Sequence, residues 1–248
     1  MLLEGKTAVI YGGAGAMGGA VARAFAREGA NVFLAGRTLA TLDAVAEEIV
    51  AAGGAAETAQ LDAHDPHAVE SHADAVARQA GSIDVSFNAV GMNAVQNVPL
   101  VDMSLEDFMT PITEAARTQF ITATAAARRM TGHGRGVILM LSSSAARESR
   151  HQMGGFNLAC AAIEAFTRSL AGEVGRQGVR VVCLRPNFTP ETTPGVTAAD
   201  VQPLVDDTVL GRLPILAEVA GSAVFAASDQ AGAISGAVLN LTCGAIVD

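Results

Sequence analysis

The sequence predicts an α/β fold: one domain on a doubly wound parallel sheet of about seven strands, with helices on both faces. Three observations predict it. Short apolar runs alternate with longer stretches of helical period along the whole chain. The 248 residues suit one domain with a sizeable core. Half of them are hydrophobic and only 17% are charged, which excludes a disordered chain.

Strands are expected at 7–11, 31–35, 57–61, 83–87, 137–141, 179–184 and 237–241. These are short apolar runs bounded by Gly, Asn or Asp, as in strands buried on both faces. Helices are expected between them at 16–28, 39–52, 66–80, 104–130, 156–176 and 216–228. In the fifth helix Phe156, Cys160, Ile163, Phe166, Leu170 and Val174 form one apolar stripe. The stretch from Pro186 to Pro203, rich in Thr and Pro, reads as irregular. A loop that long is usually functional, and a lid over the carboxyl edge of the sheet is expected.

The first strand runs into Gly12-Gly13-Ala14-Gly15-Ala16-Met17-Gly18 and then a helix. Gly13, Gly15 and Gly18 satisfy GxGxxG in its strand–turn–helix setting. Such glycines let the backbone approach a pyrophosphate, and the helix N-terminus offers free N–H groups. The bland reading is a Gly-rich turn that merely starts a helix. This turn predicts a Rossmann domain that binds a dinucleotide, with residues 1–248 as its single unit.

The second strand ends at Ala35-Gly36-Arg37-Thr38, without the Asp or Glu that would hold the ribose hydroxyls of NAD. Arg37 and Thr38 can meet a 2′-phosphate instead, so NADP(H) is favoured over NAD(H). Thr38 also reads as a helix N-cap. After the third strand, Asp62 can take an adenine amino group or cap the next helix, a role Asp65 can also fill.

Several classes are excluded. A net charge of −9 argues against nucleic acid as a partner and gives no help at an anionic membrane. No apolar run approaches a membrane span, and residues 1–10 do not read as a signal peptide. Three widely spaced Cys fit neither a disulfide framework nor a zinc site, and a reducing cytoplasm is expected. His64, His67 and His72 read as surface residues far from the site, not as a metal cluster. The chain holds one Tyr, Tyr11, and one Lys, Lys6. A mechanism needing a Tyr acid with a Lys partner in the pocket therefore has no residues to use.

The chain resembles the short-chain dehydrogenase/reductase family over its whole length. The matching residues are the Gly12–Gly18 turn, Leu61-Asp62, Asn88-Ala89-Val90-Gly91, Leu141-Ser142-Ser143 and Arg185-Pro186-Asn187. The resemblance implies a nicotinamide cofactor, reduction of carbonyls or oxidation of alcohols, and a homotetramer or homodimer. By resemblance and motif together, the cofactor-binding residues are Gly12, Gly13, Gly15, Met17, Gly18, Arg37, Thr38, Asp62, Ala63, Asn88, Ala89, Gly91, Pro186 and Thr189. The many small Ala residues of the fourth and fifth helices suit packing between subunits.

The match departs from the family at two levels. Tyr11 takes the usual Thr place in the turn, Ala16 its middle Gly, Ala89 the second Asn of Asn-Asn-Ala-Gly, and Asn187 the Gly of Pro-Gly. Backbone contacts to a cofactor tolerate these changes. Of the family's catalytic Asn, Ser, Tyr and Lys, only the Ser remains, as Ser143. The Tyr place is Phe156, the Lys place Cys160, and the Asn place falls near Ala115. The enoyl-reductase variant would put a Tyr at Met153.

Phe cannot donate a proton. Candidate replacements are Ser143, His151 and Cys160, with Arg147 or Arg150 to stabilise an oxyanion. Cys160 also reads as a small core residue, and the 147–151 segment as a solvated loop or subunit contact. The expected function is NADP(H)-dependent reduction of a small imine, activated alkene or carbonyl at a non-standard site. The alternatives are a catalytically silent cofactor-binding partner subunit or sensor, and a site where the nucleotide is only structural.

Overall fold

Strand and helix alternate as the hydrophobic pattern predicts, and the sheet they build is parallel throughout. The computed structural model describes residues 1–247. The strands are β1 (Thr7–Tyr11), β2 (Asn31–Gly36), β3 (Ala55–Gln60), β4 (Val85–Asn88), β5 (Gly136–Leu141), β6 (Val179–Pro186) and β7 (Ala237–Leu241). Their order across the sheet is β3-β2-β1-β4-β5-β6-β7. Register pairs Ile10 with Leu34 on one side of β1 and with Phe87 on the other.

The helices are α1 (Ala16–Arg27), α2 (Leu39–Ala51), α3 (Pro66–Ala80), α4 (Leu105–His133), α5 (Gly155–Val174), α6 (Ala198–Asp206) and α7 (Leu216–Ala227). One core joins β1 residues Ala8 and Ile10 to α1, α2 and α7 through Phe25, Leu42 and Val224. The other joins Val9 and Tyr11 to α3, α4 and α5 through Val76, Met130 and Ile163. Alternate residues of one strand thus feed the two cores, which is why the strands read as continuous apolar runs.

β1 pairs with β2 on one side and β4 on the other, so the chain reverses its winding there. In such sheets the crevice at the carboxyl ends of these strands is where ligands bind. The Gly12–Gly18 turn and the segment after Asn88 both open into it.

One expectation about the elements changes, and one open alternative is decided. The stretch after Pro186 is not wholly irregular, because α6 begins at Ala198. Thr197 accepts from the Asp200 backbone N–H while the Asp200 side chain accepts from Thr197, a reciprocal cap. At α3 the capping side chain is Asp65, which accepts from His67 and Ala68 with Pro66 in the first turn. Asp62 accepts instead from the backbone N–H and ring of His64. No helix among the described residues is long and apolar enough to cross a membrane.

Candidate active site

Three cavities run along the carboxyl edge of the sheet and share walls. The first, about 360 Å³, is lined at one end by Arg37, Thr38, Asp62, Ala63 and His64, and at the other by Gly12 and Gly15. The second, about 400 Å³, shares Gly15, Ala89, Val90, Gly91 and Met92 with the first. Its far wall includes Gln119, Ser143, Phe156, Pro186 and Thr189. The third, about 450 Å³, shares Ser143, Phe156, Asn187 and Phe188 with the second. Glu148, His151, Met153, Asp200 and Leu204 are among its other lining residues.

The glycine turn is tight for steric reasons. Gly12 has φ +73°, and a Cβ there would lie 2.6 Å from the Ala89 carbonyl oxygen. Gly18 packs on the turn so closely that a Cβ would overlap the Gly12 carbonyl oxygen. At Gly13 a Cβ would sit 2.8 Å from Leu34 Cδ2. Gly13 and Gly18 thus shape the turn from within, while Gly12 and Gly15 face the cavity. The N-cap of α1 is Gly15, which has no side chain to cap it, and the first turn of α1 carries no acid. Its leading N–H groups and positive dipole end suit an anion.

At the end of β2 the Arg37 side chain is exposed and makes no hydrogen bond or ion pair among the described residues, while its carbonyl accepts from Gln60 Nε2 at 2.9 Å. The His64 backbone N–H and ring hold the Asp62 carboxyl below its ordinary range. This carboxylate keeps acceptor capacity toward a ligand in the first cavity. Thr38 stands at the N-cap position of α2 but makes no capping bond from its side chain.

Asn88 differs from its expected role. It is 3% exposed and lines none of the three cavities. Its Nδ2 donates to Thr122 Oγ1 at 2.8 Å, and its Oδ1 accepts from the Val90 N–H at 2.9 Å. Asn88 therefore shapes the backbone that carries Ala89 and Gly91 to the cavity.

Ser143 stands where the second and third cavities meet. Its Oγ accepts from the Ala145 N–H at 3.3 Å, which leaves its O–H free to donate. His151 lies in the third cavity wall, with Nε2 3.0 Å from Asp207 Oδ2. Arg150 pairs with the same carboxylate. His151 and Gln152 have φ +70° and +47°, so the segment is bent into a conformation that side chains rarely adopt. Asp207 follows α6 directly, so these pairs tie the 150–151 segment to that helix.

Cys160 requires a correction. It is 0% exposed and lines none of the three cavities. Burial, with a smaller contribution from nearby Cys183, pushes its thiol up to about 12. A thiol so placed neither meets a substrate nor gives up its proton near neutral pH. Its place on the apolar stripe of α5 decided its fate, because that stripe faces the sheet. Phe156, at the start of the stripe, does reach the cavity wall.

Two of the three histidines around α3 also depart from expectation, while His67 is exposed as expected. His64 lines the first cavity. His72 is half-buried, edge-on to Tyr11 at 6.2 Å, and burial lowers its pKa. Among the described residues no group of His, Cys, Asp and Glu could hold a metal.

Sequence reasoning missed several groups, two of which fasten the site's frame. Glu114 on α4 accepts from both Asn93 N and Asn93 Nδ2, fastening the loop after β4 beside the first cavity. Beneath Ser143, Arg185 and Glu164 form a bidentate pair at 2.7 and 2.8 Å, and Ser142 Oγ donates to the same carboxylate at 2.9 Å. A Glu on the sheet side of α5 and an Arg within the apolar β6 run were the available signals.

Comparison with known proteins agrees with this geometry. Residues 12–245 match the family model described as enoyl-(acyl carrier protein) reductase. Gluconate 5-dehydrogenase of Gluconobacter oxydans is 30% identical, covering 99% of this chain and 96% of that protein. A gluconate 5-dehydrogenase from Burkholderia cenocepacia, solved with NADP and tartrate, superposes with a TM-score of 0.90 at 25% identity. That match covers 98% of this chain and 96% of the other. A short-chain dehydrogenase from the same organism, solved with NADP, gives 0.87 at 27% identity over 99% of each chain.

Proposed function

The chain belongs to the short-chain dehydrogenase/reductase family, and from that premise we propose that it is an NADP(H)-dependent reductase with a non-standard proton source. The observation that carries the reading is the run of joined cavities. One end holds an exposed Arg37 with no partner among the described residues, the middle is the glycine turn, and Ser143 stands at the entrance to the last cavity. The residues fit the cofactor. Arg37 and Thr38 would meet a 2′-phosphate, the α1 N-terminus the pyrophosphate, and the second cavity the nicotinamide riboside. When bound, the reduced cofactor supplies a hydride.

The chain's own residues then orient the substrate and manage its proton. Ser143 Oγ can donate to the oxygen or nitrogen of a substrate in the third cavity. His151 is held through Nε2 by Asp207, which leaves Nδ1 for the substrate or a water. Phe156 contributes an apolar wall and no proton. A protonated imine suits this site, because it arrives with the proton a Tyr would otherwise give. Glu148 lines this cavity and makes no ion pair among the described residues, so its negative charge favours a cation there. Activated alkenes and carbonyls would draw on His151 instead.

Arg37→Ala is expected to weaken NADPH binding about tenfold or more, the loss of one charge-assisted contact, with NADH binding unchanged. Titration of nucleotide fluorescence reads both affinities. Equal loss for the two nucleotides counts against Arg37 as the phosphate ligand. Turnover is then sought with imines, enones and ketones by loss of NADPH absorbance. Tight NADPH binding without turnover of any class would favour a silent, cofactor-binding partner subunit. The reading includes a homodimer or homotetramer packed through α4 and α5, where Phe120 and Leu158 are 56% and 49% exposed. Light scattering in solution tests it, and a monomer at micromolar concentration would rule it out.

A further inference from the structure

The wall of the second cavity carries one polar side chain that is buried and uncommitted. Gln119, on α4, is 4% exposed, and among the described residues its Oε1 has no hydrogen-bond partner. Its Nε2 donates to no acceptor among them either. The other polar side chains of that wall are engaged. Thr118 Oγ1 donates to the Glu114 carbonyl at 3.0 Å and Ser142 Oγ to Glu164 at 2.9 Å. Asn187 Oδ1 accepts from Ser144 and Phe188, Thr189 donates to the Asn187 carbonyl, and Thr192 donates to the Thr189 carbonyl. Ser143 Oγ accepts from the Ala145 N–H. A buried carboxamide without partners is costly, and native interiors retain few of them. Such a group on a cavity wall points to a ligand that completes its hydrogen bonds.

The position of the cavity narrows the ligand. It adjoins the first cavity at Gly15 and Ala89–Met92, with Arg37 and Asp62 at the opposite end. A dinucleotide with its pyrophosphate at Gly15 would place its second nucleoside beside α4. That nucleoside carries a ribose diol and a carboxamide, each presenting donor and acceptor close together. A glutamine side chain offers the complementary pair. No lysine can serve in its place, because Lys6 is bound to Asp229 at 2.8 Å.

We propose that Gln119 binds the nicotinamide riboside half of the cofactor through its buried carboxamide. The proposal rests on the NADP(H) reading given above. Gln119→Leu keeps the volume and removes both hydrogen-bonding atoms. In that variant NADPH should bind about tenfold more weakly by fluorescence titration. Adenosine 2′,5′-bisphosphate, which lacks the nicotinamide riboside, should bind as to wild type by calorimetry. Unchanged NADPH affinity, or an equal loss for both ligands, would overturn the proposal. Gln119→Met serves the same comparison if the Leu variant does not fold. Wild-type protein that binds neither nucleotide overturns the cofactor reading itself. Wild-type binding that Gln119 does not influence overturns this proposal alone.

Discussion

Glu164→Ala is expected to lower stability by about 3–5 kcal/mol, the usual cost of removing one partner of a buried ion pair. Glu164 and Arg185 are 4% and 2% exposed, and two parallel hydrogen bonds join them. Without the carboxylate, the guanidinium stays buried with a lost charge partner, and Ser142 Oγ loses its acceptor. The double variant Glu164→Leu with Arg185→Met removes both charges and should recover most of that loss. Urea unfolding followed by circular dichroism measures all three proteins. A single variant that unfolds at the wild-type urea concentration would show that the pair does not support the fold. Equal instability of single and double variants would mean that volume, not charge, matters there. Ser142 precedes Ser143, so the single variant should also disturb the junction of the second and third cavities.

Gly18→Ala is expected to abolish measurable NADPH binding and to destabilise the chain by about 1–3 kcal/mol. The reason is steric and local. The new methyl would overlap the Gly12 carbonyl oxygen, which is backbone and cannot rotate away. Either α1 moves outward or the turn opens, and both displace the N–H groups proposed to meet the pyrophosphate. Gly172→Ala is the control, because a Cβ there meets nothing within 4 Å and lies on α5. Thermal unfolding and NADPH titration on both variants separate a general glycine effect from a specific one. NADPH affinity within threefold of wild type for Gly18→Ala would count against the turn as the phosphate site.

The alternation of strand and helix was legible because each element's pattern is local. A parallel strand is apolar on both faces, a helix carries a periodic stripe, and both can be read in a short window. The glycine turn was legible for a similar reason. Its conformation at Gly12 and its close contact at Gly18 involve residues near in sequence, so residue type alone records the constraint. Asp65 with Pro66 marked the start of α3 in the same way. The start of α6 was also written locally, as Thr197 followed by Asp200, but its Thr- and Pro-rich setting and internal Pro203 concealed it.

The roles of Cys160, Asn88, Gln119, Glu164 and His151 were of another kind. Each depends on which side of an element meets which neighbour. The crossing of α4 and α5 is so close at Gly155 that a Cβ would overlap the Phe108 carbonyl oxygen. That crossing helps set which α4 side chains face the cavity and turns Cys160 toward the sheet. Asp207 reaches His151 across 56 positions of sequence. The order of elements, the glycine turn and the scarcity of Tyr and Lys were therefore encoded in composition and short-range pattern. The placing of Gln119 on a cavity wall, Cys160 in the core and Asp207 beside His151 came from packing between distant segments, because burial and hydrogen-bond partners are properties of a residue's surroundings rather than of its type.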